Sequence, residues 1–228
     1  MSNNVVFCSS GNYGEMAVRL FKTIKHAWPN ANMYFESVKC DAIPISRMSA
    51  LGVTVESGFN IPEEWKDFPL DVICKGWRAV MLARLLDKGW PIVVYMDSDS
   101  VVLERFDDLL DEINSFDIAV PHNEDNHRNY RRRVISGFQV LRNTDKSLVL
   151  LRSYFKYITS DIMRNGMWAD QPCLWKAICE SGVKMLGLDP MTYINWKGGR
   201  ARVVAWGRDH KHSKWDELSK WAENLIPG

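Results

Sequence analysis

The chain has 228 residues, with 29 Lys plus Arg against 28 Asp plus Glu and an apolar fraction of 46%. That supply of apolar side chains builds a core unaided, and the charge balance excludes a protein whose main task is to coat nucleic acid or an anionic membrane. Cys8, Cys40, Cys74, Cys173 and Cys179 are odd in number and never form a C-x-x-C pair. Neither a disulfide framework nor a zinc knuckle is encoded, and a reducing, cytoplasmic setting is expected.

No basic stretch followed by an apolar run opens the chain, and the longest apolar run, Ile92 to Met96, is too short to cross a bilayer. Val5-Val6-Phe7 reads as a strand breaking at Ser9-Ser10-Gly11. Met16, Leu20, Ile24 and Ala27 then recur at helical spacing up to Trp28-Pro29. Met33 to Phe35 is a second strand, Ala79 to Leu86 a helix ending near Gly89, and Ile92 to Met96 the next strand. This alternation predicts an α/β fold with a mostly parallel sheet flanked by helices and a Rossmann-like N-terminal half.

Further on, Phe106 to Ile113 reads as a helix with Asp107 and Asp108 in its first turn. Asp117 to Val120 is a strand closed by Pro121, and Phe138 to Leu141 another. Asp145 is the expected N-cap of a helix through Leu148, Leu151 and Phe155, and Gln171 to Cys179 forms one more. The polar stretch Asn123 to Arg133 reads as a mobile loop whose basic residues suit a diphosphate or an anionic acceptor, if they are more than a solvated charge run. From Trp196 the chain is irregular, then briefly helical at Asp216 to Leu225. Ten tryptophans suit sugar rings by their flat faces, but each is more simply read as a core residue.

Chemistry concentrates at Asp97-Ser98-Asp99, two carboxylates at the carboxyl end of an apolar strand, where open α/β sheets place ligands. Buried there, the pair needs positive charge. Mn²⁺ or Mg²⁺ carrying diphosphate oxygens would supply it, since hard ions favour carboxylates and phosphates. A solvated turn is the plainer reading of the same residues. Asp97-Ser98-Asp99-Ser100-Val101 also fits the signature of haloacid-dehalogenase-type phosphatases, in which the first Asp is the nucleophile. That family places its nucleophile on an early strand, whereas Asp97 lies mid-chain.

With its segments taken in order, the chain resembles the DxD-type GT-A glycosyltransferases, most nearly the glycogenin-like and galactosyltransferase-like enzymes of family 8, over residues 4 to about 215. The resemblance implies a single GT-A domain over 1–228. Residues 1–100 would form the donor-binding half ending in the DxD motif, 101–215 the acceptor-binding and metal-completing half, and 216–228 a tail. It also implies transfer of a hexose from a nucleotide-sugar, a UDP-sugar foremost, to a hydroxyl of a carbohydrate, lipid-linked or protein acceptor. Asp97 and Asp99 match the metal-binding DxD, while Ser9, Asn12 and Tyr13 match the loop beside the nucleotide. Lys75 and Arg78 match the basic helix facing the donor phosphates, and Ser98, Ser136 and Gly137 match further donor-side positions, with Ile135 where the family has Asn.

Asp170-Gln171 is similar to the Asp-Gln pair beside the transferred sugar in retaining members. There a carboxylate binds sugar hydroxyls and an amide oxygen steadies charge at the anomeric carbon. Without the family order the same pair is simply an N-cap. His210-Lys211-His212-Ser213-Lys214-Trp215 resembles the His-x-x-Gly-x-x-Lys-Pro-Trp motif without its Gly and Pro. Either His210 or His212 is thereby the third metal ligand, and Lys214 the diphosphate contact. A non-catalytic nucleotide-sugar-binding module is the remaining alternative.

Overall fold

The computed structural model describes residues 4–57, 63–65, 68, 70–123, 133–165, 170–194, 201–205, 220–222 and 224–225. The first half runs β1 (Val5–Gly11), α1 (Gly14–Ala27), β2 (Asn32–Ser37), α2 (Ala42–Ala50), β3 (Val53–Ser57), α3 (Leu70–Asp87) and β4 (Ile92–Met96). After the acidic motif come β5 (Ser100–Val102), α4 (Asp107–Glu112), β6 (Ile118–Pro121), β7 (Phe138–Arg142), α5 (Asp145–Asn165), α6 (Asp170–Ser181), β8 (Met185–Leu188), α7 (Pro190–Tyr193) and β9 (Val203–Ala205).

Seven strands form one sheet in the order β3-β2-β1-β4-β7-β6-β8, and β5 and β9 form a separate antiparallel ribbon. Every pairing in the large sheet is parallel except the two made by β7, with β4 and with β6. Both faces are covered, so adjacent residues of one strand enter different cores. Val5, Phe7, Val94, Met96 and Phe138 face one core, with α1, while Val6, Cys8, Val93, Tyr95 and Leu141 face the other, with α3, α5 and α6. This two-sided burial is why the strands read as continuous apolar runs.

Phe106 is fully buried among Phe7, Trp28, Phe138 and Tyr193, with ring centroids 4.8 to 6.3 Å away. It pins the start of α4 against the sheet. Trp28 and Trp65 are buried, as the plain reading of tryptophan expects, and Trp221 is exposed. Trp168, Trp196, Trp206 and Trp215 lie outside the described residues.

Several boundaries differ from the sequence expectation. β1 continues through Ser9-Ser10-Gly11, because the parallel ladder with β2 extends to Gly11↔Ser37. α3 begins at Leu70 rather than Ala79, and its internal Gly76 is accommodated by the ring of Trp65, 3.0 Å from where a Cβ would sit. Pro121 lies inside β6 rather than after it. Asp145 is the first helical residue of α5 and not its cap: Thr144 Oγ1 accepts from Ser147 N at 3.2 Å. The elements α2, β3, β5, β8, α7 and β9 are additional. Of the loop expected over Asn123 to Arg133, the two ends are described and joined by Asn123 N donating to Arg133 O at 2.9 Å, while 124–132 and most of the expected 216–225 helix fall outside the described residues.

Replacing Phe106 by Ala should empty the centre of the aromatic cluster. A loss of about 3–5 kcal/mol is expected in urea unfolding, and a loss under 1 kcal/mol would show that the cluster does not anchor α4.

Candidate functional site

β1, β2, β3 and β4 all end at the same edge of the sheet, and antiparallel β7 begins there. The chain order reverses direction across β1-β4-β7, so the turn after β4 lies at a topological switch point, where such sheets bind ligands. Asp97 N donates to Gly137 O at 2.9 Å, which joins the acidic turn to the entry of β7. Ser98 Oγ lies 3.0 Å from Ser9 Oγ and donates to Ser10 O at 3.2 Å, joining the same turn to the end of β1. Ser9 and Ser98 are buried, so their hydroxyls hold the turn in place. Gly11 takes φ +146°, a conformation open mainly to glycine, with Ser98 Oγ 3.5 Å from its absent Cβ.

Arg78 reaches this turn from α3. Its Nη2 donates to Asp97 Oδ1 at 2.7 Å and its Nη1 to Ser136 O at 2.9 Å, with Asp170 Oδ2 3.6 Å from Nη1. The guanidinium lies 4.5 Å over the ring of Tyr95, whose hydroxyl donates to Asp97 Oδ1 at 2.8 Å. Burial pushes the Tyr95 phenol up, so it stays a donor. Ser136 Oγ donates to Asp170 Oδ2 at 2.6 Å, and Gln139 Nε2 to Ser136 O at 2.7 Å. Asp97, Arg78, Ser136, Gly137 and Asp170, all expected from the sequence, therefore form one connected site. Gln171 follows Asp170 at the start of α6 and is half-buried.

Tyr95 and Gln139 are members the sequence reading did not single out. Tyr95 carried a usable signal: strand side chains two apart share a face, so a tyrosine two residues before Asp97 points the same way. Gln139 carried none beyond being a polar residue in an apolar strand.

The positive charge that the carboxylate pair requires is thus partly the protein's own, and it goes to Asp97. Asp99 lacks an equivalent. Burial, reinforced by the negative charge of Asp97, raises its carboxyl from the usual 3.8 to about 7. Such an undercompensated acid fits a cation. Asp97 Oδ2 is the other fitting atom, since both hydrogen bonds to Asp97 end on Oδ1. Among the described residues no cluster of three or more metal-ligating side chains forms. His210, His212 and Lys214 lie outside the described residues.

At the β1 end, Tyr13 is exposed, and the buried Asn12 Oδ1 and Ser10 Oγ find no partner among the described residues. Lys75 is half-buried on α3, one turn before Arg78. Glu36, at the end of β2, is turned inward: its carboxylate accepts from Trp77 Nε1 and Arg84 Nη2, each at 2.6 Å. Asp107 accepts from Trp28 Nε1 and Arg105, and Asp108 from Arg202, so both acids serve structure.

No family model matches the sequence, and none of the curated proteins does. Solved structures do match. The galactosyltransferase LgtC, in complex with donor and acceptor sugar analogs, aligns with TM-score 0.70 at 13% identity, over 98% of this chain and 96% of that one. The glycosyltransferase GlyE of Streptococcus pneumoniae TIGR4 aligns with TM-score 0.66 at 12% identity, over 96% of this chain and 60% of that one. Mouse xyloside xylosyltransferase 1 aligns with TM-score 0.57 at 11% identity, over 91% of this chain and 98% of that one. The chain therefore has the GT-A nucleotide-diphospho-sugar transferase fold, a mostly parallel central sheet flanked by helices.

Two consequences are measurable without any ligand. Between pH 4 and 7 the folded state retains a proton on Asp99 that the unfolded chain has released, so stability must fall as pH rises through that window. The cost at pH 8 is on the order of 2–4 kcal/mol. In chelator-treated protein, Asp99→Asn should flatten this slope in urea melts and be the more stable form at pH 8; an unchanged slope refutes the assignment. Gly137→Ala would place a Cβ 2.6 Å from Asp97 Oδ2. Displacing that carboxylate should destabilise by about 1–3 kcal/mol, and a neutral substitution would mean that the turn yields freely.

Proposed function

We propose that the chain is a metal-dependent glycosyltransferase, moving a hexose from a UDP-sugar to an acceptor hydroxyl with retention of anomeric configuration. The observation that carries this reading is the unequal treatment of two neighbouring carboxylates at the switch point of a GT-A sheet. Asp97 is neutralised by Arg78, and Asp99 is left wanting a cation. The phosphatase reading is dropped, since the GT-A sheet puts Asp97 after its fourth strand with an arginine bonded to it.

In this proposal Asp97, through Oδ2, and Asp99 hold Mn²⁺ or Mg²⁺, with His210 or His212 as the third ligand. The ion would supply positive charge for the departing nucleotide diphosphate. Ala205 pairs with Ser100, the residue after Asp99, and His210 follows five residues on. That is a reach of at most ~18 Å of chain, which supports the assignment. Asn12 and Tyr13 receive the nucleotide base, where an orphaned buried oxygen and an exposed ring offer polar and stacking contacts. Ser9 and Ser98, bonded to each other, fix the turn on the donor side.

Lys75 and Lys214 balance the diphosphate. Arg78, buried beneath the carboxylates, orients Asp97 and Asp170 from behind. Asp170, steadied by Ser136 and Arg78, binds sugar hydroxyls. Gln171 presents its amide oxygen to the anomeric carbon, where charge builds as the glycosidic bond breaks. Ser136 and Gly137 line the passage between the two. As one domain, 1–100 would serve the donor and 101–215 the acceptor, a carbohydrate, lipid-linked or protein hydroxyl. None of the five cysteines is in a disulfide, which supports a reducing, cytoplasmic location, and no described helix is long and apolar enough to cross a membrane.

The test is a panel of nucleotide-sugars with Mn²⁺, read by thermal unfolding and donor hydrolysis for the native chain and Asp99→Ala. One donor at a hundred times its Kd should raise the Tm by about 5–10 °C, and the variant should lose the shift. Binding with no turnover in the presence of acceptors would favour the non-catalytic module. Inversion at the anomeric carbon, seen by NMR of the product, would remove the roles given to Asp170 and Gln171.

A further inference from the structure

The hydrogen bonds around Asp97 are lopsided. Oδ1 takes two donors, Arg78 Nη2 at 2.7 Å and Tyr95 Oη at 2.8 Å, while Oδ2 lies against Gly137 and accepts no hydrogen bond among the described residues. Both donors come from buried groups: Tyr95 is 2% exposed and the Arg78 side chain 4%, whereas the Asp97 side chain is 37% exposed. The accessible part of the carboxylate is therefore on the Oδ2 side. Arg78 is itself held in place by Ser136 O and by the Tyr95 ring beneath it, so the clamp cannot swing away without breaking several contacts.

A carboxylate with both lone-pair directions of one oxygen occupied cannot chelate a cation through its two oxygens. We infer that Tyr95 and Arg78 are positioning residues that confine Asp97 to single-oxygen coordination through Oδ2, and so select a small octahedral cation over Ca²⁺. The inference rests on the metal-site reading above. Its physical basis is the contrast between the ions. Ca²⁺ takes 6–8 oxygens at about 2.3–2.6 Å and gains from two-oxygen carboxylates, whereas Mg²⁺ and ions of similar size need six ligands at about 2.0–2.1 Å. Sequence spacing selects the acids; the clamp decides how many oxygens one of them offers.

Tyr95→Phe removes a single hydroxyl, keeps the ring under Arg78 and frees one lone pair of Oδ1. The probe is Mn²⁺, whose free and bound forms are separated by electron paramagnetic resonance, displaced by Mg²⁺ or by Ca²⁺ without any nucleotide. In the native chain Mg²⁺ should displace Mn²⁺ at lower concentration than Ca²⁺ does. In Tyr95→Phe the Ca²⁺-to-Mg²⁺ preference should move toward Ca²⁺ by about 10-fold, the low end for groups that orient a metal ligand. Circular dichroism and thermal unfolding establish that the variant is folded, and the native-chain comparison stands without it. Native protein that prefers Ca²⁺, or a folded variant with an unchanged preference, overturns the clamp while leaving the metal site intact. Native protein that binds no Mn²⁺ overturns the metal site and the clamp with it.

Discussion

Arg78 is the residue on which the site depends. A single buried guanidinium bonds the acid that ends β4, the carbonyl that leads into β7 and, at longer range, the acid that begins α6, while lying on a tyrosine ring. Three elements far apart in sequence thus share one planar, permanently charged group, whose forked donors match several acceptors at once. Lysine would carry the charge but could not span this geometry. Burial makes the arrangement demanding, because the guanidinium, 4% exposed, relies on acceptors that water cannot replace.

The fold prepares this junction by turning one strand around. Six strands of the sheet have parallel neighbours, but β7 runs against both of its own, so its beginning meets the end of β4. Had β7 been parallel, Ser136 and Gly137 would lie at the far edge. The two-sided core keeps the edge rigid, with Tyr95 facing α3 and Met96 facing α1 in consecutive positions. The carboxylates therefore sit in a turn that follows directly on a packed strand.

How much of this was legible follows from where the information resides. β4 and the acids after it were readable because the signal is local: an apolar run, then charge. Asp170 and Ser136 were readable only through resemblance, and nothing in their spacing tells that one hydroxyl donates to the other. Arg78 could be selected as a basic residue on a helix, yet its partners lie 19 and 92 residues away, and pairing at that range leaves no trace in periodicity. The start of α3 was hidden by Gly76, a poor helix former whose missing side chain makes room for Trp65. The ribbon of β5 and β9 is three residues deep on each side, too short for a pattern.

That ribbon bears on how the molecule is born. Val203–Ala205 are the only strand partner that Ser100–Val102 have among the described residues, and roughly a hundred residues of synthesis separate the two. On a ribosome the N-terminal strands and helices emerge and can collapse together while β5 still has an unpaired edge. The acidic turn just before it has its bonds to Ser10 and Gly137 by then, but not yet the ribbon that follows it. The ribbon closes only once Val203–Ala205 has followed, so the segment just beyond the acidic turn is pinned later than the strands on its other side.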